Sequence, residues 1–247
     1  MAKRWRLDAV LTQKGLFSSR EQAQRAIMAG EIKVNDRIAT KSSLLVDPTV
    51  NIEVEAAPQF VSRGGLKLVG ALDHFGLDVR GQTAIDIGAS TGGFTDCLLQ
   101  RGAIKVYAID VGYGQIAWKL RNDPRVIVYE KLNARFLSQA DVPELVHICV
   151  IDVSFISLTL ILPNAIDLVT ANGVILALIK PQFELQRADV ARGGVVRDPA
   201  LHTKATQKIV AFAENEARLV VEGVVPSALA GTDGNQEFFI CLRKQSA

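Results

Sequence analysis

Long apolar runs are missing from this 247-residue chain, although its mean hydropathy is +0.20 and 49% of its residues are hydrophobic. The longest uncharged stretches, 153–166 and 168–179, are interrupted by Pro163 and by Asn172-Gly173. Both fall short of the roughly 18 apolar residues that a spanning helix needs, so no membrane is expected and they read as buried elements of a soluble core. The apolar content is ample for such a core and excludes a disordered chain. Cysteine and histidine are scarce, with three of each. Cys97, Cys149 and Cys241 are far apart and flanked by apolar residues, which gives neither a disulfide framework nor metal-ligand spacing. His74, His147 and His202 form no HxxH-type cluster, so no metal is expected. The N-terminus carries Lys3, Arg4 and Arg6 but lacks the apolar stretch of a secretory signal, and a cytoplasmic location is expected. Net charge is nearly absent as well, at +2. Taken alone, that argues against a nucleic-acid binder.

The total conceals an asymmetry. Through Gly64 the chain has ten basic and seven acidic residues, and the remainder has 18 and 19. The first 41 residues alone hold nine basic against four acidic. The length also suits a small accessory unit joined to a larger body, expected at 1–60 and 61–247 with Ala56-Ala57-Pro58 at the boundary. The small unit reads as α+β. Arg4 to Lys14 predicts a short helix with Leu7, Val10 and Leu11 on one face, ended by Gly15. Ser18-Ser19-Arg20-Glu21 has the capping-box pattern, with the Ser18 hydroxyl accepting the Glu21 N–H. The second helix runs to Gly30, with Ala23, Ala26 and Ile27 inward and Arg20, Gln24 and Arg25 towards water. Ile32 to Val34 and Arg37-Ile38, around Asn35-Asp36, predict a hairpin, and Val50 to Val54 a strand. On charge alone, an ordinary solvated surface explains this lobe equally well.

From Gln82 onward short strands alternate with helical spans. Strands are predicted at 83–87, 105–109, 126–129, 147–152 and 173–179, with a helix over 94–101. That alternation predicts an α/β fold, a parallel sheet covered by helices on both faces. Segments 218–225 and 237–243, joined by a loop holding Gly231-Thr232-Asp233-Gly234, predict an antiparallel last pair. Gly88-Ala-Ser-Thr-Gly-Gly93 follows the first of these strands, and Asp110 stands 22 residues after Gly88. A glycine turn with an acid at that distance marks a nucleotide site, though a dinucleotide, S-adenosylmethionine and a purely structural turn all fit. The spacing is not GxGxxG, and Asp86 inside the strand suits a cationic amino-acid group better than phosphates, which favours S-adenosylmethionine. Backbone N–H groups of Ser90, Thr91, Gly92 and Gly93 at the helix start suit the methionine carboxylate, and Asp110 suits the ribose hydroxyls.

Four charged residues stand at strand ends or in apolar settings: Lys67 in Ser62-Arg-Gly-Gly-Leu-Lys-Leu68, Asp152 in Asp-Val-Ser-Phe-Ile-Ser157, Lys180 before Pro181-Gln-Phe183, and Glu237 before Phe238-Phe239. Each alone is explained by an ordinary strand-end charge. Together they suit deprotonation of a weak nucleophile such as a ribose 2′-hydroxyl. A lysine can take that proton only as the neutral amine, which desolvation or a nearby cation favours. Lys180, near Lys67, fits that base, with Asp152 and Glu237 orienting the two amines.

These motifs resemble known families. Arg4-x-Arg6-Leu7-Asp8, the run from Ser19 to Asn35 and the hairpin are similar to the S4 RNA-binding domain. That resemblance implies that Arg4, Arg6, Arg20, Arg25, Lys33, Arg37 and Lys41 contact structured RNA, largely through phosphates. The Lys67-Asp152-Lys180-Glu237 set resembles the catalytic tetrad of the FtsJ/RrmJ-type 2′-O-ribose methyltransferases, whose class I (Rossmann-like) sheet has an antiparallel last strand. The whole combination resembles the TlyA/hemolysin A family. It implies 2′-O-methylation of cytidine in small- and large-subunit ribosomal RNA, with ribosomal RNA or ribosomal subunits as partners. Asp86, Gly88, Ser90, Thr91, Gly92, Gly93 and Asp110 match its cofactor loop and ribose acid. Asn133 replaces the acid that often meets the adenine amino group in wider relatives, and its carbonyl is able to accept the same hydrogen bond. The hemolysin label implies a membrane-lytic alternative, which lacks a spanning segment or a strongly amphipathic cationic helix. A non-catalytic RNA-binding protein is the other alternative, against which the intact tetrad speaks. Arg192-Gly-Gly-Val-Val-Arg197 suits either a mobile RNA-facing loop or a plain turn.

Overall fold

Leu7, Val10 and Leu11 are fully buried, as their helical spacing predicts, but the helix that carries them starts later than the apolar pattern suggests. In this computed structural model, which describes residues 4–28, 31–54, 59–191, 193–231 and 234–245, Trp5–Arg6 form a strand, β1, and α1 spans Leu7–Gln13. The predicted boundary at 56–58 lies outside the described residues, as does Arg192. The chain separates into two units, 1–59 and 60–247.

In the first unit α2 (Arg20–Met28) packs Ala23, Ala26 and Ile27 against the apolar face of α1. Its cap lies one residue later than predicted. Gln22 N–H donates to Ser19 Oγ at 3.2 Å, while Ser18 donates its hydroxyl to Gln22 Oε1 at 2.7 Å. Strands β2 (Ile32–Val34) and β3 (Arg37–Ile38) form the hairpin, with Asn35 and Asp36 at φ 48° and 61°. Positive φ at both central residues is the twist-matched two-residue turn, which Asn and Asp tolerate. β4 (Leu45–Val46) pairs with β1, and β5 (Ile52–Val54) pairs with β2.

The second unit places a seven-stranded sheet between helical layers. Its strands are β6 (Thr83–Ile87), β7 (Lys105–Ile109), β8 (Val126–Tyr129), β9 (Val146–Ile151), β10 (Val169–Ile179), β11 (Leu219–Pro226) and β12 (Phe238–Lys244). The order is β11-β12-β10-β9-β6-β7-β8, and only β12 runs antiparallel to its two neighbours, β10 and β11. Alternate side chains point to opposite faces. Ala84, Val106, Ile148 and Leu176 join α3 (Gly64–His74) and α4 (Gly93–Gln100) on one face. Ile85, Ile109, Cys149 and Ile175 join α6 (Leu162–Asp167) and α8 (Pro199–Asn215) on the other. All five residues of β6 are buried, as its place in the interior of the sheet between β9 and β7 requires. The short helices α5 (Trp118–Arg121) and α7 (Pro181–Glu184) lie in connections. All three cysteines are buried and reduced, and burial pushes the Cys97 and Cys241 thiols up to about 12 and that of Cys149 higher still.

Candidate functional site

The glycine turn 88–93, Asp110, Asp152 and Lys180 follow the carboxyl ends of β6, β7, β9 and β10, where open α/β sheets bind ligands, while Lys67 lies on α3, Asn133 beyond β8 and Glu237 just before β12. Two adjoining cavities of about 540 and 470 Å³ open there and share Gly88, Ser90 and Asp152 as walls. The first is also lined by Ser62, Lys67, Thr91 and Gly93, the second by Asp110, Asn133 and Phe155.

The loop after β6 is shaped by its glycines. Gly88 (φ 87°) and Gly92 (φ 95°) hold left-handed backbone, and a Cβ at Gly88 would overlap the Asp152 carbonyl. The N–H groups expected to face a ligand are partly committed. Ser90 N–H donates to Asp110 Oδ2 at 2.7 Å, and Gly92 N–H to Ala89 O at 2.7 Å. Among the described residues the N–H groups of Thr91 and Gly93 make no hydrogen bond and are left for an incoming acceptor. Asp110 also accepts the Gly112 N–H at 2.6 Å, so its position is fixed by two backbone donors. Asn133 lines the second cavity, but its Oδ1 already accepts the Arg135 N–H at 3.0 Å as the cap of a short 3₁₀ turn. One lone pair of that carbonyl is therefore already engaged.

Asp86 is fully buried instead of facing the cavity wall. Its Oδ2 accepts both the Thr95 N–H (2.9 Å) and the Thr95 hydroxyl (2.6 Å), while Oδ1 has no hydrogen-bond partner. Burial, reinforced by the nearby charges of Asp152 and Asp110 and opposed by Thr95, pushes this carboxyl up to about 7.

The four tetrad candidates meet as two pairs. Lys67, on α3, donates to Glu237 Oε2 at 2.6 Å, with side chains only 11% and 4% exposed. A Cβ at Gly231 would overlap Glu237 Oε1, so the glycine gives the carboxylate its room. Lys180 Nζ lies 2.6 Å from Asp152 Oδ1, a charge contact that is not aligned as a hydrogen bond. Its aligned hydrogen bond goes to Ser154 Oγ at 2.9 Å. Ser154 and its neighbour Phe155, which is 90% exposed at φ 63°, lie in the motif that opens at Asp152, but nothing in the sequence singles them out as site residues. The segment 193–197, which suits either a mobile RNA-facing loop or a plain turn, is tethered at two points. The buried Asn235 side chain accepts the Val196 N–H at 2.8 Å and donates to Gly194 O at 3.0 Å.

In the first unit, Arg25, Arg37 and Lys41 are exposed and Lys33 is half-buried. Arg6 and Arg20 do not simply project into water. Both guanidinium groups, with Gln24, converge on the buried carboxylate of Asp8 at 2.7 to 3.2 Å. The Arg6 hydrogen bonds first, then those of Gln24 and Arg20, hold Asp8 well below the usual carboxylate range despite its burial.

The FtsJ-like methyltransferase pattern matches residues 60–244 and the S4 domain pattern residues 5–52. The chain is 44% identical, over 248 residues, to the 16S/23S rRNA (cytidine-2′-O)-methyltransferase TlyA of Mycobacterium tuberculosis, covering 100% of this chain and 92% of that protein. A solved structure from Streptococcus thermophilus, whose name contains the word hemolysin, is 41% identical with a TM-score of 0.75 and covers 100% of this chain and 90% of that one. The N-methyltransferase NodS of Bradyrhizobium japonicum, solved with S-adenosyl-L-homocysteine, shares the fold alone, at 14% identity and a TM-score of 0.52 over 74% of this chain and 86% of that one. Among the described residues no helix is long and apolar enough to cross a membrane.

Proposed function

Because this chain belongs to the FtsJ-like methyltransferase family and carries an S4 domain ahead of its methyltransferase domain, we propose that it transfers a methyl group from S-adenosylmethionine to a ribose 2′-hydroxyl of ribosomal RNA. Cytidine is the target nucleoside and ribosomal RNA, free or within a subunit, the partner, by likeness to the mycobacterial relative. A ribosomal RNA partner supports a cytoplasmic location. The observation that carries the chemistry is the pair of lysine–carboxylate contacts, Lys67–Glu237 and Lys180–Asp152, of which Lys67 and Asp152 line the first cavity.

The residues suit the cofactor. Asp110, fixed by two backbone donors, has lone pairs left for ribose hydroxyls, and Gly88, Ser90, Thr91, Gly92 and Gly93 form the turn that lets a ligand approach the backbone. Asp110 and Asp152, whose side chains line the cavities above the buried Asp86, make this end of the site attractive to an ammonium group. Asn133 would border the base. When bound, S-adenosylmethionine supplies an electrophilic methyl group.

The chain's own residues then handle a proton and a position. Lys180 Nζ takes the 2′-hydroxyl proton as the oxygen attacks, which requires the neutral amine. Asp152 and Ser154 hold that nitrogen from two directions, so its remaining lone pair or proton has a defined bearing. Lys67, neutralised by Glu237, is kept from repelling Lys180. Holding oxygen and methyl in line supplies much of the remaining acceleration. Residues 1–60 dock the RNA, with Arg4, Arg6, Arg20, Arg25, Lys33, Arg37 and Lys41 meeting phosphates.

Purified protein, labelled S-adenosylmethionine and unmodified ribosomal RNA or subunits test the reading. Label is expected in RNA, with a primer-extension stop at a single 2′-O-methylcytidine per target RNA. Label in a base, or none in RNA, would overturn it.

A further inference from the structure

β9 and β10 are parallel neighbours, and from their carboxyl ends emerge the two segments that carry Asp152 and Lys180. These segments, 152–158 and 180–184, are joined at three successive levels. Lys180 Nζ reaches Asp152 Oδ1 (2.6 Å) and Ser154 Oγ (2.9 Å). The Phe155 and Phe183 rings lie 5.0 Å apart, centre to centre. At the third level Glu184 accepts the Ser157 hydroxyl on Oε2 (2.5 Å) and the Leu158 N–H on Oε1 (2.8 Å).

Glu184 is a costly residue to place there. Its side chain is 1% exposed, and a buried carboxylate is tolerated only when paired and hydrogen-bonded. Lys208 of α8 completes the set, reaching Glu184 Oε2 at 2.9 Å, Glu184 O at 2.8 Å and Ser157 Oγ at 3.2 Å. The segment it secures is strained. Phe155 holds a left-handed backbone that a bulky residue keeps only where its surroundings impose it. Otherwise 152–157 is irregular chain and α7 is a single four-residue turn, so neither has much rigidity of its own.

We propose that Glu184 is a positioning residue for methyl transfer: by latching Ser157 and Leu158 it fixes the segment bearing Asp152 and Ser154 against the turn bearing Lys180. The inference rests on the function proposed above. Glu184 touches no reacting atom and acts through the bearing of the Lys180 amine. Misplacement of such a group by about 1 Å costs on the order of 100-fold in rate.

The test uses the full chain and the variants Glu184→Ala and Ser157→Ala, the second removing one arm of the latch from a half-buried position. Binding of S-adenosylhomocysteine counts folded sites, and methyl transfer to ribosomal RNA gives kcat and KM. Per folded site, kcat is expected to fall about 10- to 100-fold in Glu184→Ala and roughly three- to tenfold in Ser157→Ala. The KM for RNA and the affinity for S-adenosylhomocysteine stay within about twofold. An undiminished kcat per site in whichever variant binds S-adenosylhomocysteine stoichiometrically overturns the inference. So does a loss confined to the number of sites or to KM, because a merely structural role predicts that. No transfer by the unaltered chain sinks the functional reading and this inference with it, whereas an active parent with undiminished variants sinks the inference alone.

Discussion

Lys67 and Glu237 stand 170 residues apart in the chain and meet at 2.6 Å between α3 and the start of β12. Neither side chain is more than 11% exposed, so each depends on the other for its solvation. Removing one partner leaves an uncompensated buried charge, which costs about 3 to 5 kcal/mol, whereas replacing both by apolar groups is far less damaging. Urea unfolding of Lys67→Met, Glu237→Met and the double variant is expected to show a stabilising coupling of about 2 kcal/mol or more. Additive single effects would refute the dependence.

Lys180→Ala is expected to abolish transfer while S-adenosylmethionine binding persists, because the base is lost and the cofactor walls are not. Lys180→Arg should be equally inactive, since a guanidinium stays protonated. Single-turnover transfer beside calorimetric cofactor binding checks both, and normal turnover in either variant removes the proposed base.

Asp86 predicts a pH dependence of stability. Its folded carboxyl titrates at about 7, above the ordinary value of 3.8. The folded state therefore binds the proton more tightly, and the group's contribution is fully favourable below about pH 4 and is lost as pH rises through 7. Asp86→Asn cannot ionise. The difference in Tm between Asp86→Asn and the parent should shift in favour of the variant from pH 5 to 7.5 and level off above that. A constant difference would show that the carboxyl is not displaced.

Deleting residues 1–59 should weaken RNA binding and flatten its salt dependence, because each lost phosphate contact removes about 0.7 to 0.9 from the slope of log K against log salt. Filter binding over a salt series, with S-adenosylmethionine affinity as control, gives the answer. An unchanged slope would place RNA docking elsewhere.

Adding a methyl at Gly231 would press on Glu237 Oε1. Gly231→Ala should slow transfer about tenfold by displacing that carboxylate, in keeping with the cost of misplacing a catalytic group. A variant as fast as the parent would indicate that the Lys67–Glu237 contact tolerates the shift.

The strands of the second unit were legible because buried parallel strands are short apolar runs bounded by turns. Thr83–Ile87 and Lys105–Ile109 match their predicted limits, while β10 begins four residues earlier than expected, across Asn172-Gly173. The Gly88 to Asp110 spacing located the crevice, since it reflects one strand, turn and helix. Long-range polar partners were not legible. Nothing local tells that Asp8 will gather Arg6, Arg20 and Gln24, that Asn133 will cap its own turn, or that Ser19, accepting the Gln22 N–H, and not Ser18 caps α2. The last is a contest between adjacent identical residues, which nothing in the local pattern decides. Glu184 was hidden for a related reason: its partners Ser157 and Lys208 are 27 and 24 residues away.

The burial of Cys97, Cys149 and Cys241 has a practical consequence. Thiol reagents attack the thiolate, and these three sulfurs are both inaccessible and held far from ionisation at neutral pH. The native sequence is already a silent background for maleimide chemistry. A single cysteine placed at an exposed site outside the proposed RNA contacts, such as Thr40 beyond the hairpin, is expected to take a fluorophore or spin label stoichiometrically, so that motion of that lobe on RNA becomes measurable without removing any natural residue from the core.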